Sequence, residues 1–181
     1  MERFRLSPLI RFTLLSLYAA LVLPLPLLAP AGLRLWMVVG LLAGLVLVLG
    51  LLSEQVETDD DGIRVRYPAW IRWVLRRGWM MRWQDIRALV PVGTSQGGTV
   101  YYLKATDLRH QLLPQRIERF DRFLQLLSER TIVKTAGICR LTPPWTYQVL
   151  AVISAGMVLM EATAAFAISN GWISLPEGYP G

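Results

Sequence analysis

LWMVVGLLAGLVLVLGLLS, residues 35–53, runs for nineteen positions without a charged side chain. About 20 apolar residues are needed to cross a hydrocarbon core of roughly 30 Å as a helix, so this stretch reads as a transmembrane span. Upstream, Phe12 to Leu33 is also uncharged. Only Arg34, beside Pro30-Ala31-Gly32, separates the two blocks, and so short a connection joins antiparallel helices. Residues 1–53 therefore read as a transmembrane hairpin, with helices at about 12–30 and 35–53. Pro24 and Pro26 remove backbone donors and should kink or unwind the far end of the first helix.

A third uncharged block starts at Leu141 and reaches Met160, meets Glu161, and continues apolar to about Ile168. Its entrance, Thr142-Pro143-Pro144-Trp145-Thr146-Tyr147, offers a helix-starting proline pair and two interfacial aromatics, and Trp172 marks the other end. The expected span is about 147–168, within a C-terminal segment 141–181 that ends in a short tail. A signal peptide is the competing reading of the first block, with Arg3, Arg5 and Arg11 as its basic region. The stretch runs straight into a second span, however, and Leu27-Leu28-Ala29-Pro30 is a poor cleavage site, so an uncleaved helix is expected.

Composition agrees. The 181 residues are 54% hydrophobic and 18% charged, against about 45–50% and 25% in soluble domains. Such hydrophobicity excludes disorder, and the single cysteine, Cys139, excludes a disulfide scaffold. One Cys and one His (His110) do not furnish a zinc site, and no cofactor is expected. Of the 19 Lys and Arg, 18 fall on the side shared by the N-terminus and residues 54–146, leaving Arg34 alone on the other. The positive-inside rule then predicts a cytoplasmic N-terminus and central segment, with the C-terminus opposite. A pI near 10.0 is thus a statement about orientation more than about nucleic acid.

Residues 54–140 read as a small β domain. Ile63, Val65 and Tyr67 alternate with Arg64 and Arg66, the period of a half-buried strand. Asp59-Asp60-Asp61 lacks the other ligands of a calcium loop and reads as a turn, in which Gly62 can take positive φ. Further strands are expected at Trp79–Trp83, Ile86–Val92, Thr99–Leu103 and Leu112-Leu113, with Ser95-Gln96-Gly97-Gly98 as a hairpin loop. After Pro114, Ile117, Phe120, Phe123, Leu124 and Leu127 recur at spacings of three and four. That pattern is an amphipathic helix at about 115–130, packing one stripe on the sheet.

This order resembles the bacterial pleckstrin-homology-like (PH-like) domains attached to membrane helices. The matching features are the hairpin, Asp61-Gly62-Ile63-Arg64-Val65, an Arg77-Gly78 hairpin, Trp83-Gln84-Asp85-Ile86 leading into a strand, Val100-Tyr101-Tyr102-Leu103 and the closing helix. The layout is also similar to that of a cyanobacterial and chloroplast photosystem I assembly-factor family, from which the third helix departs. The resemblance implies an α+β membrane protein, three transmembrane helices with an inserted PH-like small β-barrel or sheet domain. It also implies a thylakoid or plasma membrane, and a role in the biogenesis of a photosynthetic membrane complex.

Two constellations stand out. Trp70, Arg72, Trp73, Arg76, Arg77, Trp79, Arg82 and Trp83 place four tryptophans and four arginines within fourteen residues. Core tryptophans with solvated arginines, or a lipid or protein interface, both suit them; base stacking is the least favoured use. Glu161 lies a few residues past the midpoint of its span, where a carboxylate costs about 2.5–3.5 kcal/mol unless partnered or protonated. It shares a face with Ser154, Val158 and Ala165. Gly40 and Gly44 form a GxxxG that lets another helix approach, more readily within the chain than between chains.

No nucleophile–base pair, acid–base pair or metal cluster is apparent, so neither an enzyme nor a small-molecule substrate is expected. The expected function is a non-catalytic scaffold or assembly factor that docks subunits of a membrane complex. The alternative is an anionic-lipid surface module using residues 70–83.

Overall fold

The structure, a computed structural model, describes residues 1–74, 78–95 and 97–172. Along the chain lie β1 (Glu2–Arg5), α1 (Pro8–Val22), α2 (Leu25–Leu28), α3 (Ala31–Leu51), β2 (Gln55–Thr58), β3 (Gly62–Arg66) and β4 (Trp79–Arg82). They are followed by β5 (Ile86–Gly93), β6 (Thr99–Ala105), β7 (His110–Leu112), α4 (Phe120–Arg130) and α5 (Pro144–Ser169). The helical stretches Pro8–Leu28, Ala31–Leu51 and Pro144–Ser169 are long and apolar enough to cross a membrane. The chain divides into two compact units, one of Met1–Pro8 with Gly50–Pro143, the other of 9–49 with the chain from Pro144 onward.

In the first unit, an antiparallel sheet β1-β2-β3-β4 and a second, β5-β6-β7, enclose one core. α4 presses Phe120, Phe123, Leu124 and Leu127 into it. Periodicity disclosed neither β1 nor β2, and β1 is the less expected of the two. Only four residues long, it reads in the sequence as a basic leader to the first span, yet Phe4 is 0% exposed and β1 pairs with β2 from Glu2↔Thr58 to Arg5↔Gln55. Since β1 precedes α1 and β2 follows α3, the two ends of the hairpin lie on one side of any membrane it crosses, independently of the charge count.

Several expectations shift for identifiable reasons. The closing helix starts at Phe120 and not near residue 115, because 116–118 extends the sheet: Ser7 N–H donates to Arg116 O (3.0 Å), Glu118 N–H donates to Arg5 O (2.8 Å), and Leu6 bridges Ile117. Arg119 then turns the chain through the left-handed region at φ 49°. Its guanidinium stacks over the Phe4 ring at 5.3 Å and donates to Arg3 O at 3.0 Å, contacts that hold a conformation side chains disfavour.

α3 begins at Ala31, so Arg34 belongs to its first turn. Pro30 O accepts from the N–H groups of Leu33 and Arg34, proline being well suited to a helix start. The α1 helix does stop before Pro24, leaving the single turn α2 beyond it. Gly62 has no positive φ. Its lack of a side chain serves close approach instead, since a Cβ there would fall inside contact distance of Met81 O and 2.8 Å from Arg82 Cα. Asp59 makes the turn: its Oδ1 accepts from the N–H groups of Asp61 (3.0 Å) and Gly62 (2.9 Å). Those bonds, Gly62 foremost, hold its carboxyl below the ordinary range.

In the second unit, α1 contacts both other long helices through polar groups. Ser16 and Ser154 share a hydrogen bond at 2.7 Å, and the Thr13 hydroxyl donates to Leu9 O and to Tyr147 O. On the α3 side, Tyr18 donates to Leu41 O at 2.6 Å, its hydroxyl lying where a Cβ on Gly44 would be 2.7 Å away. Hydroxyls bonded across helices and small residues that admit them are the means by which spans associate where no hydrophobic force acts between them.

Candidate functional site

The expected Trp/Arg surface resolves into distinct environments. Trp83 is a correction: it is 7% exposed in the core, and its indole N–H donates to Asp59 O at 2.9 Å. The strand stops at Arg82, where Trp83–Asp85 form a 3-10 turn, but the period-two alternation continues through Trp83, which shares the inward face of Met81. Trp79 is half-buried on β4, packed against the core. Arg82 is exposed. Trp70 and Trp73 stand out at the surface, the latter 85% exposed with its indole N–H donating to Trp70 O at 2.8 Å. Arg76 and Arg77 lie outside the described residues.

Between β3, the start of β4 and the turn 68–74 opens a cavity of about 1000 Å³. Met80 contributes its exposed apolar surface, Arg64, Arg66 and Arg72 its charge, and Tyr67 and Trp73 further aromatic lining, while Val65 and Trp79 form its floor with side chains turned to the core. Two arginines are engaged. Arg64 meets Asp59 at 3.6 Å and donates from Nε to the Met80 sulfur at 3.4 Å, while Arg66 lies 3.6 Å from Glu57, which Arg3 also contacts at 3.2 Å. Arg72 donates its backbone N–H to Pro68 O at 3.2 Å, while its side chain is exposed and makes no ion pair or hydrogen bond among the described residues. Arg64 and Arg66 were not singled out by sequence pattern; their alternation with Ile63 and Val65 was the available signal.

The turn is seated from below. Ile71 is buried against Gly50, in the last turn of α3, where a Cβ would lie 2.7 Å from Ile71 Cδ1. This side of the cavity is thus tied to the end of a candidate span. Close by, Tyr67 donates to Glu54 Oε2 at 3.2 Å. Burial pushes the Glu54 carboxyl above the ordinary carboxylate range, against the opposing Tyr67 hydrogen bond and Arg116 charge. A carboxyl raised on folding binds its proton more tightly in the folded chain, so the chain loses stability as pH rises from the ordinary carboxylate value through the raised one. Glu54→Gln removes that dependence. Thermal unfolding of the full chain in detergent, between about pH 4 and pH 8, should show a wild-type decline with rising pH that the variant lacks; parallel curves would refute it.

In the second unit, Gly44 receives Tyr18, whereas a Cβ on Gly40 would meet nothing within 4 Å, so the GxxxG is half used by the chain itself. Glu161 Oε2 is buried with no hydrogen-bond partner among the described residues. Sequence reasoning missed Gln115, a buried amide that donates to Thr99 O and Cys139 O and so ties the start of β6 to the approach to α5. Cys139 and His110 are both exposed, His110 opening β7 instead of lying in a loop.

No family model matches the chain, and no solved structure matches it. It is 45% identical over 153 residues to "Uncharacterized protein slr0269" of Synechocystis sp., an alignment covering 81% of this chain and 77% of that protein. The chain belongs to the same family as that Synechocystis protein.

Proposed function

We propose that the protein is a non-catalytic integral membrane scaffold, an assembly factor whose helices receive a subunit of a membrane complex while its β unit docks a protein partner. The observation that carries this reading is the bareness of α3: of its 21 residues only Gly50 is buried. Lipid alone would cover such a surface, but the small-residue notch at Gly40 continues past the point that Tyr18 fills, which favours a second helix. The unmet Glu161 oxygen adds an acceptor where an unpaired carboxylate is costly.

Sheets of four and three antiparallel strands with a closing helix support the PH-like reading of the β unit. The basic excess on the N-terminal side supports a cytoplasmic position for that unit. A relative from Synechocystis is compatible with a thylakoid or plasma membrane, and a photosynthetic complex is the partner implied by resemblance.

The test is purification of the tagged full chain from mild detergent with a photo-crosslinking residue at Gly40. Subunits of one membrane complex should co-purify and one should be joined at that position, and a C-terminal reporter should read on the non-cytoplasmic side. Recovery of the protein alone, with crosslinks only to lipid, overturns the scaffold; a cytoplasmic C-terminus overturns the orientation.

A further inference from the structure

We infer that the cavity between β3, β4 and the 68–74 turn binds the phosphate-bearing headgroup of an anionic phospholipid, with Arg72 as the principal phosphate contact. The inference goes beyond the scaffold and does not depend on it.

Four observations converge. First, the cavity, at about 1000 Å³, is far larger than a single ion needs and lies at the upper end of the range of organic-ligand sites. Second, its charge is unbalanced. Three guanidinium groups line it, while Glu57 and Asp59 engage only Arg66 and Arg64, leaving Arg72 uncommitted among the described residues. Guanidinium is suited to phosphate because its planar fork offers paired N–H donors. Third, the lining joins apolar to charged surface: Met80, exposed on the same face as Arg64, and the Tyr67 and Trp73 rings can take glycerol and the first acyl methylenes while arginine holds the phosphate.

The fourth is depth. Ile71 rests on Gly50 in the last turn of α3, so Arg72 is one residue from a side chain packed on the end of a span. Trp70 and Trp73 flank it, both exposed, as indoles are at the headgroup level. A water-filled pocket for a soluble anion has no use for exposed tryptophans or a seat at a helix end, whereas both suit a headgroup site. The cation supply here exceeds what the neighbouring acids consume.

The full chain is reconstituted in nanodiscs of phosphatidylcholine containing phosphatidylglycerol, and lipid retained after transfer to detergent is measured by native mass spectrometry. Phosphatidylglycerol should be retained over phosphatidylcholine. Arg72→Gln should weaken that retention roughly fivefold, the effect of about one basic residue at an anionic surface. Arg72→Lys should restore part of it, and Arg82→Gln, which removes an exposed arginine outside the cavity, should leave it unchanged. The Arg72 side chain is exposed, so its variants are expected to retain the wild-type unfolding profile. Equal retention of both lipids, an unchanged Arg72→Gln, or an equal loss from Arg82→Gln overturns the inference. Displacement of the lipid by millimolar inorganic phosphate assigns the site to soluble phosphate and overturns it as well.

Discussion

Replacing Phe4 by alanine is expected to cost the β unit about 3–5 kcal/mol, the range for deleting a buried phenyl ring. Phe4 is fully buried and meets Phe123 edge-on, ring centroids 5.6 Å apart at 76°, with the Arg119 guanidinium on its other contact. Nothing else in β1 enters the core: Glu2, Arg3 and Arg5 are partly or fully exposed, so one side chain anchors the strand. Removing it leaves a cavity and frees β1 from β2, and with β1 goes the acceptor that Arg5 O provides to Glu118. Domains of this size hold only about 5–15 kcal/mol in total, so a large share of the stability disappears. Urea unfolding of the full chain in detergent, followed by tryptophan fluorescence, should show the midpoint fall. Phe12→Ala, which removes an equal ring from an exposed position on α1, should leave it in place. A Phe4→Ala midpoint equal to wild type would remove β1 from the core.

Gly62→Ala is the second large effect, expected at the upper end of the overpacking range, about 3 kcal/mol. The added methyl meets backbone, Met81 O and Arg82 Cα, and not the yielding end of a side chain. β3 cannot retreat, because Gly62 O accepts from Asp59 N–H at 3.1 Å and Asp61 O accepts from Trp83 N–H at 3.0 Å, pinning both flanks. The Ile63↔Met81 pair behind it places two core side chains on the strands being forced apart. The same unfolding measurement reads the loss. Gly93→Ala, where a Cβ meets nothing within 4 Å, is the matched control and should be tolerated. Equal midpoints for the two variants would show that the β3–β4 approach is not tight.

What could be read from the residues divides along physical lines. Long uncharged runs identify spans without reference to anything else, because a helix satisfies its own backbone and only length and polarity decide whether it can cross. Local periods likewise identified β3, β5, β6 and the stripe of α4, since each face is set by neighbours in sequence. Of the candidate residues, Trp70, Trp73 and Arg72 do stand at the surface. Trp83 does not, because it continues the inward face of the alternation it shares with Met81. The alternation of Arg64 and Arg66 was visible, but their place beside Arg72 depends on the 68–74 turn folding back.

By itself, then, the sequence determined three apolar helices, a basic excess on one side of them and an amphipathic closing helix. Each of these is a property of a contiguous stretch, fixed by polarity and helical repeat. Only the tertiary structure decided that residues 2–5 complete a sheet begun fifty positions later, that Gly62 is needed for closeness and not for φ, and that Gly44 is filled while Gly40 stays open. Those depend on which distant backbone arrives alongside, and a four-residue strand carries too little pattern to announce its partner.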